Sequence, residues 1–249
     1  MAPAPLSPAT PGPDPGDRPV VLDRRDGPYG EVVLRRHGDL LQIIANGCFL
    51  MDTSDGRSER LLVRAALDAL DALNAVDAAA TARPALLIGG LGVGFSLAEA
   101  AAEPRWGRID VAEREPAVID WHRAGPLGDL TRDALADPRT RLLATDLLAH
   151  LRRHPRRYDA LCLDIDNGPD WTVTEDNEGL YAPEGLAVCR AALRPGGVLA
   201  VWSAQDSADF PHLLANAGFT SVTTLAVPVV RGAPDVLFLA SHHVASPIT

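Results

Sequence analysis

The stretch Pro84-Ala-Leu-Leu-Ile-Gly-Gly-Leu-Gly-Val-Gly-Phe-Ser-Leu-Ala-Glu99 decides how the rest of the chain is read. Residues 85–88 are an unbroken apolar run, the pattern of a fully buried strand, and the run breaks into glycines before an Ala/Leu/Glu segment of helical character. The order is strand, tight turn, helix. Glycine suits such a turn because the backbone angles are closed to other residues and because a ligand can approach a main chain that carries no Cβ. The free N–H groups of the following helix then face that ligand.

Glycine spacing narrows the ligand class. A dinucleotide fingerprint needs G-x-G-x-x-G, whereas here Gly90, Gly92 and Gly94 are followed by Phe95 where the last glycine should fall. The pattern G-x-G-x-G, followed by an apolar strand that ends in an acid (Arg108-Ile-Asp-Val-Ala-Glu113), resembles the nucleoside loop of class I S-adenosylmethionine-dependent transferases. A close strand–helix contact with no ligand is the alternative that a glycine-rich turn alone leaves open.

At 249 residues and 47% hydrophobic, the chain can bury an ordinary core in one sizeable domain with a small appendage. Residues 1–19 hold seven prolines and few large apolar side chains, which predicts an extended, mobile tail. That tail has no basic start and no apolar core, so it does not read as a signal peptide. No later window offers about twenty uninterrupted apolar residues. The expectation is a soluble, cytoplasmic protein with no membrane span.

Cys48, Cys162 and Cys189 are odd in number and lack paired ligand spacing, so neither a disulfide framework nor a metal site is expected, and Cys162 and Cys189 read as packing residues. A formal charge of -10 argues against a nucleic-acid partner. It is compatible with simple solubility or with a cationic substrate. The chain contains no lysine, which removes a P-loop lysine, a Schiff-base lysine and a pyridoxal anchor together.

Three regions are expected: the tail (1–19), a small β-hairpin region (20–57) and a nucleoside-binding catalytic domain (58–249). In the second, strand-like pieces at 30–35 and 40–44 are separated by His37-Gly38-Asp39 and closed by the strong turn signal Asn46-Gly47. A helix begins at Ser58, with apolar positions Leu61, Leu62, Ala65, Ala66 and Leu70 and a solvated charged face. Beyond it, strands at 85–88, 109–112, 141–144, 160–163 and 198–202 alternate with helices at 95–102, 116–123, 147–153, 184–193 and 209–217. Such alternation is the signature of an open α/β sheet with right-handed crossovers. Two final strands, 222–230 and 236–241, are expected to join in a tight hairpin around Arg231-Gly232-Ala233-Pro234. The fold expected is a Rossmann-like seven-stranded class I methyltransferase sheet.

Ligands of such sheets bind outside the carboxyl ends of the strands, near the switch in strand order. The residues that end each strand are therefore the candidates. Glu113 reads as the acceptor of both ribose hydroxyls, or else as a solvated acid. Asp146 reads as a partner of the adenine amino group, as the N-cap of the next helix, or as both. Asp164 ends Tyr158-Asp-Ala-Leu-Cys-Leu-Asp164 and reads as a general base whose basicity rises as water is excluded, or as a turn carboxylate capping Asn167 and Gly168. Trp171, Tyr181 and Trp202 either wall the acceptor or belong to the core. Asp166 and Asn167 join Trp171 and Tyr181 in a loop expected to close over the acceptor. His122, His150 and His154 are expected on helix surfaces without a role.

With these acids placed, the span 20–241 resembles the spermidine synthase family, the polyamine aminopropyltransferases. The resemblance rests on the small N-terminal β-region, Ile88-Gly-Gly-Leu-Gly-Val-Gly94, Glu113, Tyr158-Asp-Ala-Leu-Cys-Leu-Asp164 and Leu193-Arg-Pro-Gly-Gly197. It implies that Asp164 is the catalytic base, that Glu113 holds the ribose, that Asp146 meets the adenine, and that the protein forms a homodimer. The departures from the family pattern are specific. Gly92 stands where the family has an aspartate that meets the cofactor's amine. Asn167 stands at the second acid of D-S-x-D, with Asp166 one residue early, and Leu50 and Glu59 align with the family's glutamine and tyrosine. The nucleoside half of the site is expected to be retained and the diamine half lost. From this follows an expectation of methyl transfer from S-adenosylmethionine to a small-molecule acceptor such as an amine. The alternatives are aminopropyl transfer from decarboxylated S-adenosylmethionine to a polyamine, and a non-catalytic nucleoside-binding protein.

Overall fold

The computed structural model describes residues 18–74, 83–173, 177–230 and 232–242, so nearly all of the tail expected at 1–19 lies outside the described residues. Four antiparallel strands come first: β1 (Val20–Gly27), β2 (Gly30–His37), β3 (Leu40–Ala45) and β4 (Cys48–Asp52), in the order β1-β2-β3-β4. Asn46 and Gly47 join the last pair with φ values of 51° and 77°, the left-handed pair that a two-residue hairpin matched to strand twist requires. The long helix α1 (Arg57–Asn74) then leads into the main domain, burying Leu62, Val63, Ala66, Leu67 and Leu70.

A seven-stranded sheet follows, built from β5 (Ala85–Gly89), β6 (Arg108–Glu113), β7 (Thr140–Ala144), β8 (Tyr158–Leu163), β9 (Leu193–Ser203), β10 (Ser221–Val227) and β11 (Asp235–His242). Its order is β10-β11-β9-β8-β5-β6-β7, with β5 to β9 parallel and the last two strands antiparallel. Alternate residues feed two cores, as the two-residue period of a strand demands. Leu86, Ile88, Val111, Cys162 and Ala200 join α1 and Trp106 on one face. Leu87, Leu161, Leu163, Val201 and Phe238 meet Leu186, Cys189 and Phe210 on the other.

The crossover helices are α2 (Phe95–Ala102), α3 (Pro116–Arg123), α4 (Gly128–Ala136), α5 (Leu147–Arg153), α6 (Glu178–Tyr181), α7 (Pro183–Ala192) and α8 (Phe210–Asn216). The sequence reading misses α4 and α6. Glycine opens the first of them and only one turn of chain forms the second, so neither carries an apolar period long enough to read. The turn around 231–234 is wider than the tight hairpin expected: the last pair of the ladder is Val227 with Asp235, and Pro228 has no N–H to extend it. Among the described residues no helix is long and apolar enough to cross a membrane.

Two histidines expected on helix surfaces are buried. His150 donates from Nε2 to the Tyr158 hydroxyl (2.7 Å), which itself donates to Asp110 (2.8 Å), a carboxylate also held by Arg108. His122 is 2% exposed; its Nε2–H donates to the Gly92 carbonyl (2.9 Å) and its Nδ1 accepts from the Thr131 hydroxyl (2.8 Å). His154 is half-buried and stacks on His150 with ring centroids 4.2 Å apart.

Candidate active site

Strand register brings the candidate residues to one level. Gly89 pairs with Ala112 and with Leu163, and Glu113 pairs with Ala144, so the chain leaves the sheet at nearly the same height in four neighbouring strands. Backbone bonds lock that edge: Gly90 N–H to Ala112 O (2.9 Å), Asp164 N–H to Gly89 O (2.9 Å) and Thr145 N–H to Glu113 O (3.0 Å). Because β5 lies between β6 and β8, this edge is also the point where the strand order reverses, the place where ligands of such sheets bind. A cavity of about 1270 Å³ opens there, walled by Gly90, Gly92, Glu113, Asp146 and Asp164 and roofed in part by β4.

The glycine turn has no room for side chains. A Cβ on Gly90 (φ 91°) would lie 2.1 Å from the Asp164 carbonyl oxygen, and one on Gly92 (φ 50°) would lie 2.3 Å from Met51 Sδ. Met51 Sδ accepts from the Val93 N–H (3.3 Å), so β4 clasps the turn directly. A side chain at position 92 would require Met51 to shift and the residue to hold a left-handed φ. Gly94 does not line the cavity: it is the left-handed N-cap of α2, packed against Thr131 and His122.

Glu113 accepts from the Leu91 N–H through Oε2 (3.0 Å) and from the Glu115 N–H through Oε1 (2.7 Å). A carboxylate has about four lone-pair sites. Each Glu113 oxygen therefore keeps acceptor capacity, which suits the vicinal hydroxyls of a ribose. Burial raises its pKa, opposed by those backbone donors. Asp146 caps α5 by accepting from the Ala149 N–H (2.7 Å) and also lines the cavity, so the capping role does not remove it from the wall.

Asp164 accepts from the Ser96 hydroxyl (3.0 Å), and that same hydroxyl also reaches the Glu59 carbonyl oxygen (3.3 Å). Burial raises the Asp164 carboxyl and the charge of Asp235 adds to the effect, while the Ser96 bond lowers it. The surroundings hold further acids that the sequence reading did not place in the site. Glu59, on the first turn of α1, is 6% exposed, and its pKa is raised by burial first and by the neighbouring Asp164 charge second. Ser58 Oγ bridges Glu59 Oε2 (3.1 Å) and Asp235 Oδ2 (2.6 Å). Burial also raises Asp235, against the influence of the Ser58 hydroxyl. Acids thus reach the cavity from α1 and β11 as well as from the loop after β8. One signal for Glu59 was present: positions 59, 62, 63, 66 and 70 share a helix face, and an acid on that apolar stripe is out of place.

The loop after β8 divides the remaining candidates. Asp166, at φ 54°, lines the cavity, but its Oδ2 is taken by the Asn177 side chain (2.7 Å) and the Val173 N–H (3.2 Å). Asn167 lines it too and is 4% exposed, and its Nδ2 finds no hydrogen-bond partner. Trp171 stands at the mouth, 51% exposed, and Trp202 is on the wall. Tyr181 is not on the wall. It is buried against Phe210, edge to face at 5.9 Å, and donates to the Ile165 carbonyl (2.9 Å), so it braces the loop from behind.

A seven-stranded sheet of this order, with a glycine turn and strand-end acids around one cavity, defines a class I methyltransferase-like fold. A polyamine aminopropyltransferase of Mycobacterium tuberculosis (strain ATCC 25618 / H37Rv) is 30% identical over 186 residues, which cover 73% of this chain and 32% of that protein. Polyamine aminopropyltransferase 2 of Pseudomonas aeruginosa is 33% identical over 136 residues, 52% of this chain and 36% of that protein. The chain thus spans about a third of the length of these curated relatives. Among solved structures, spermidine synthase from Thermotoga maritima superposes with a TM-score of 0.71 at 15% identity, covering 92% of this chain and 74% of that one. A spermidine synthase in complex with the transition state analogue AdoDATO gives 0.74 at 16% identity, covering 92% and 75%. No family model matches the chain. In sequence and in fold the chain is spermidine synthase-like, related to the polyamine aminopropyltransferases. The names of these proteins favour the aminopropyl alternative and give no support to the methyl-transfer expectation.

Proposed function

We propose that the protein transfers an aminopropyl group from decarboxylated S-adenosylmethionine to an amine. The observation that carries this reading is Asp164: a carboxylate at the mouth of the sheet, oriented by Ser96, raised in basicity by burial, and level with the glycine turn and Glu113. An amine acceptor arrives as an ammonium ion and must lose a proton before it can attack, so a base of raised pKa beside an anionic wall suits it. The nucleoside supplies an electrophilic carbon next to a sulfonium: the acceptor's C–N bond forms as the C–S bond breaks, the sulfur keeps the electron pair as the neutral thioether of methylthioadenosine, and the nitrogen's proton goes to Asp164.

The remaining roles follow from the chain's own residues. Glu113 accepts from the ribose hydroxyls, and charge-assisted bonds of this kind contribute about 1.5–3 kcal/mol each. Asp146 faces the base while capping α5, and Gly90 and Gly92 let the ligand lie against bare backbone. Ser96 fixes the Asp164 carboxylate so that one oxygen stays free for the nitrogen. The test is incubation with decarboxylated S-adenosylmethionine and an amine mixture, read as released methylthioadenosine. Its appearance supports the reading. S-adenosylhomocysteine from the intact cofactor, with no methylthioadenosine from the decarboxylated one, would restore methyl transfer.

A further inference from the structure

One hydroxyl on the cavity wall has two carboxyl neighbours. Ser58 Oγ lies 2.6 Å from Asp235 Oδ2 and 3.1 Å from Glu59 Oε2. A serine hydroxyl has one proton to donate, and an ionised carboxylate only accepts. With the Ser58 proton on the shorter contact, to Asp235, the contact with Glu59 is a hydrogen bond when the Glu59 carboxyl keeps its own proton and donates it to the Ser58 oxygen. Burial places the proton on the same acid. Glu59 is 6% exposed and Ser58 is 3% exposed, whereas Asp235 is half-buried, and the un-ionised form suits the acid further from water.

The charges that face Glu59 act in the same direction. Asp164 reaches it from just beyond β8 and Asp235 from the start of β11, with Asp55 beside Asp235, and the first two oppose ionisation of Glu59 directly. The neighbouring arginines of α1 are turned elsewhere: Arg57 pairs with Asp55 at 2.8 Å, and Arg60 lies over the Phe95 ring, 4.4 Å from its centroid. The Ser96 hydroxyl reaches the main-chain carbonyl of Glu59 and leaves the carboxyl to Ser58. These groups line the cavity already described, where Asn167, 4% exposed, presents an Nδ2 with no hydrogen-bond partner among the described residues. A cation that enters there shifts the balance, because a nearby positive charge favours the ionised acid. We infer that Glu59, Ser58 and Asp235 share one proton in the resting site and give it up as the acceptor's ammonium enters, so that Glu59 turns from a neutral acid into the ammonium's counter-ion. The way out follows the same bonds: the Glu59 proton passes to the Ser58 oxygen, the Ser58 proton passes to Asp235, and from half-buried Asp235 it leaves to water. One proton is released for one ammonium bound, and the ammonium keeps its own until Asp164 takes it. This rests on the amine-acceptor reading above and extends it to the charge of the empty site.

Infrared spectroscopy of the full chain at about pH 7 tests it, since an ordinary carboxyl is ionised there and an un-ionised one has a carbonyl stretch of its own. The expected result is such a band in the parent, lost in Glu59→Gln and bleached when butylamine or 1,4-diaminobutane is added. Asp235→Asn, which frees the Ser58 proton to turn toward Glu59, is expected to loosen the Glu59 proton by about tenfold or more, read as a band that vanishes about one pH unit or more lower. A parent without the band, a band kept in Glu59→Gln, a band that survives both amines, or an unchanged midpoint in Asp235→Asn overturns the inference. A turnover assay with the same amines separates the two levels of the claim. Methylthioadenosine released by a parent that shows no Glu59 band overturns this inference and leaves aminopropyl transfer standing. Bleaching by an amine that supports no release leaves the inference standing and removes the transfer reading.

Discussion

Glu59 and Asp164 are two carboxylates with different histories of detection, and both carry predictions. Asp164 is visible in the sequence because a strand that turns from polar to apolar and ends in an acid places that acid at a sheet mouth. Glu59 is easily passed over, although it lies on the apolar stripe of its helix, because an acid in the first turn of a helix ordinarily reads as a partner of the helix dipole. Its tertiary position, near Asp164 and bonded to Ser58, completes that reading. For Asp164→Asn, turnover with amine should fall by about a hundredfold or more with nucleoside affinity kept, as rate and calorimetry together would report; a parental rate would reduce Asp164 to a turn residue. Burial raises the Glu59 carboxyl, so the folded chain holds that proton more tightly than the unfolded chain does. Stability is therefore full while Glu59 is protonated and falls as pH climbs from about 4.3, the ordinary value, through the raised folded value. Glu59→Gln should consequently be more stable than the parent at about pH 9, by about 1.4 kcal/mol for each unit of displacement, with the difference closing near pH 4. Thermal unfolding at the two pH values measures this, at roughly 2–4 °C per kcal/mol.

At the scale of the element, the glycine turn is held from three sides: Met51 from β4, His122 from α3 and Asp164 just after β8. Its glycines are legible as a turn, and the register that makes Glu113 and Asp164 its neighbours follows from the alternating pattern. The braces are not legible. A methionine in a hairpin and a histidine on a helix carry no local sign of what they touch, and His122 reads as a surface residue until Gly92 and Thr131 are seen on either side of its ring. Gly90→Ala combines a φ of 91° with a Cβ placed 2.1 Å from Asp164 O, so a loss of about 2 kcal/mol or more in chemical unfolding is expected, together with weakened nucleoside binding. Burial lowers the His122 pKa. The stability it contributes as a neutral ring is thus present above about pH 6.5 and is lost as pH falls through the folded value. His122→Gln should flatten that acid limb of the stability profile; a limb of unchanged slope would assign it to other groups.

In the whole molecule, the four-stranded sheet and the seven-stranded sheet meet at the cavity, and one core spans both, with Val32, Leu34 and Ile43 joining Leu62, Ile88 and Val111. Strand periods and glycines reveal the large sheet well, since alternation with helices dictates parallel pairing. What escapes the sequence is the assembly of this cavity wall from α1, the loop after β8 and the loop before β11, segments that lie far apart in the chain and share no motif. All of these roles depend on a nucleoside lying across the ends of β5 to β7 with its ribose on Glu113. Calorimetric titration of methylthioadenosine into the parent chain and into Glu113→Ala is the most direct test. Saturable binding by the parent, weakened in the variant by about 1.5–3 kcal/mol, roughly tenfold to a hundredfold or more, is the predicted result. Equal affinity for both chains, or no binding by the parent, would contradict it.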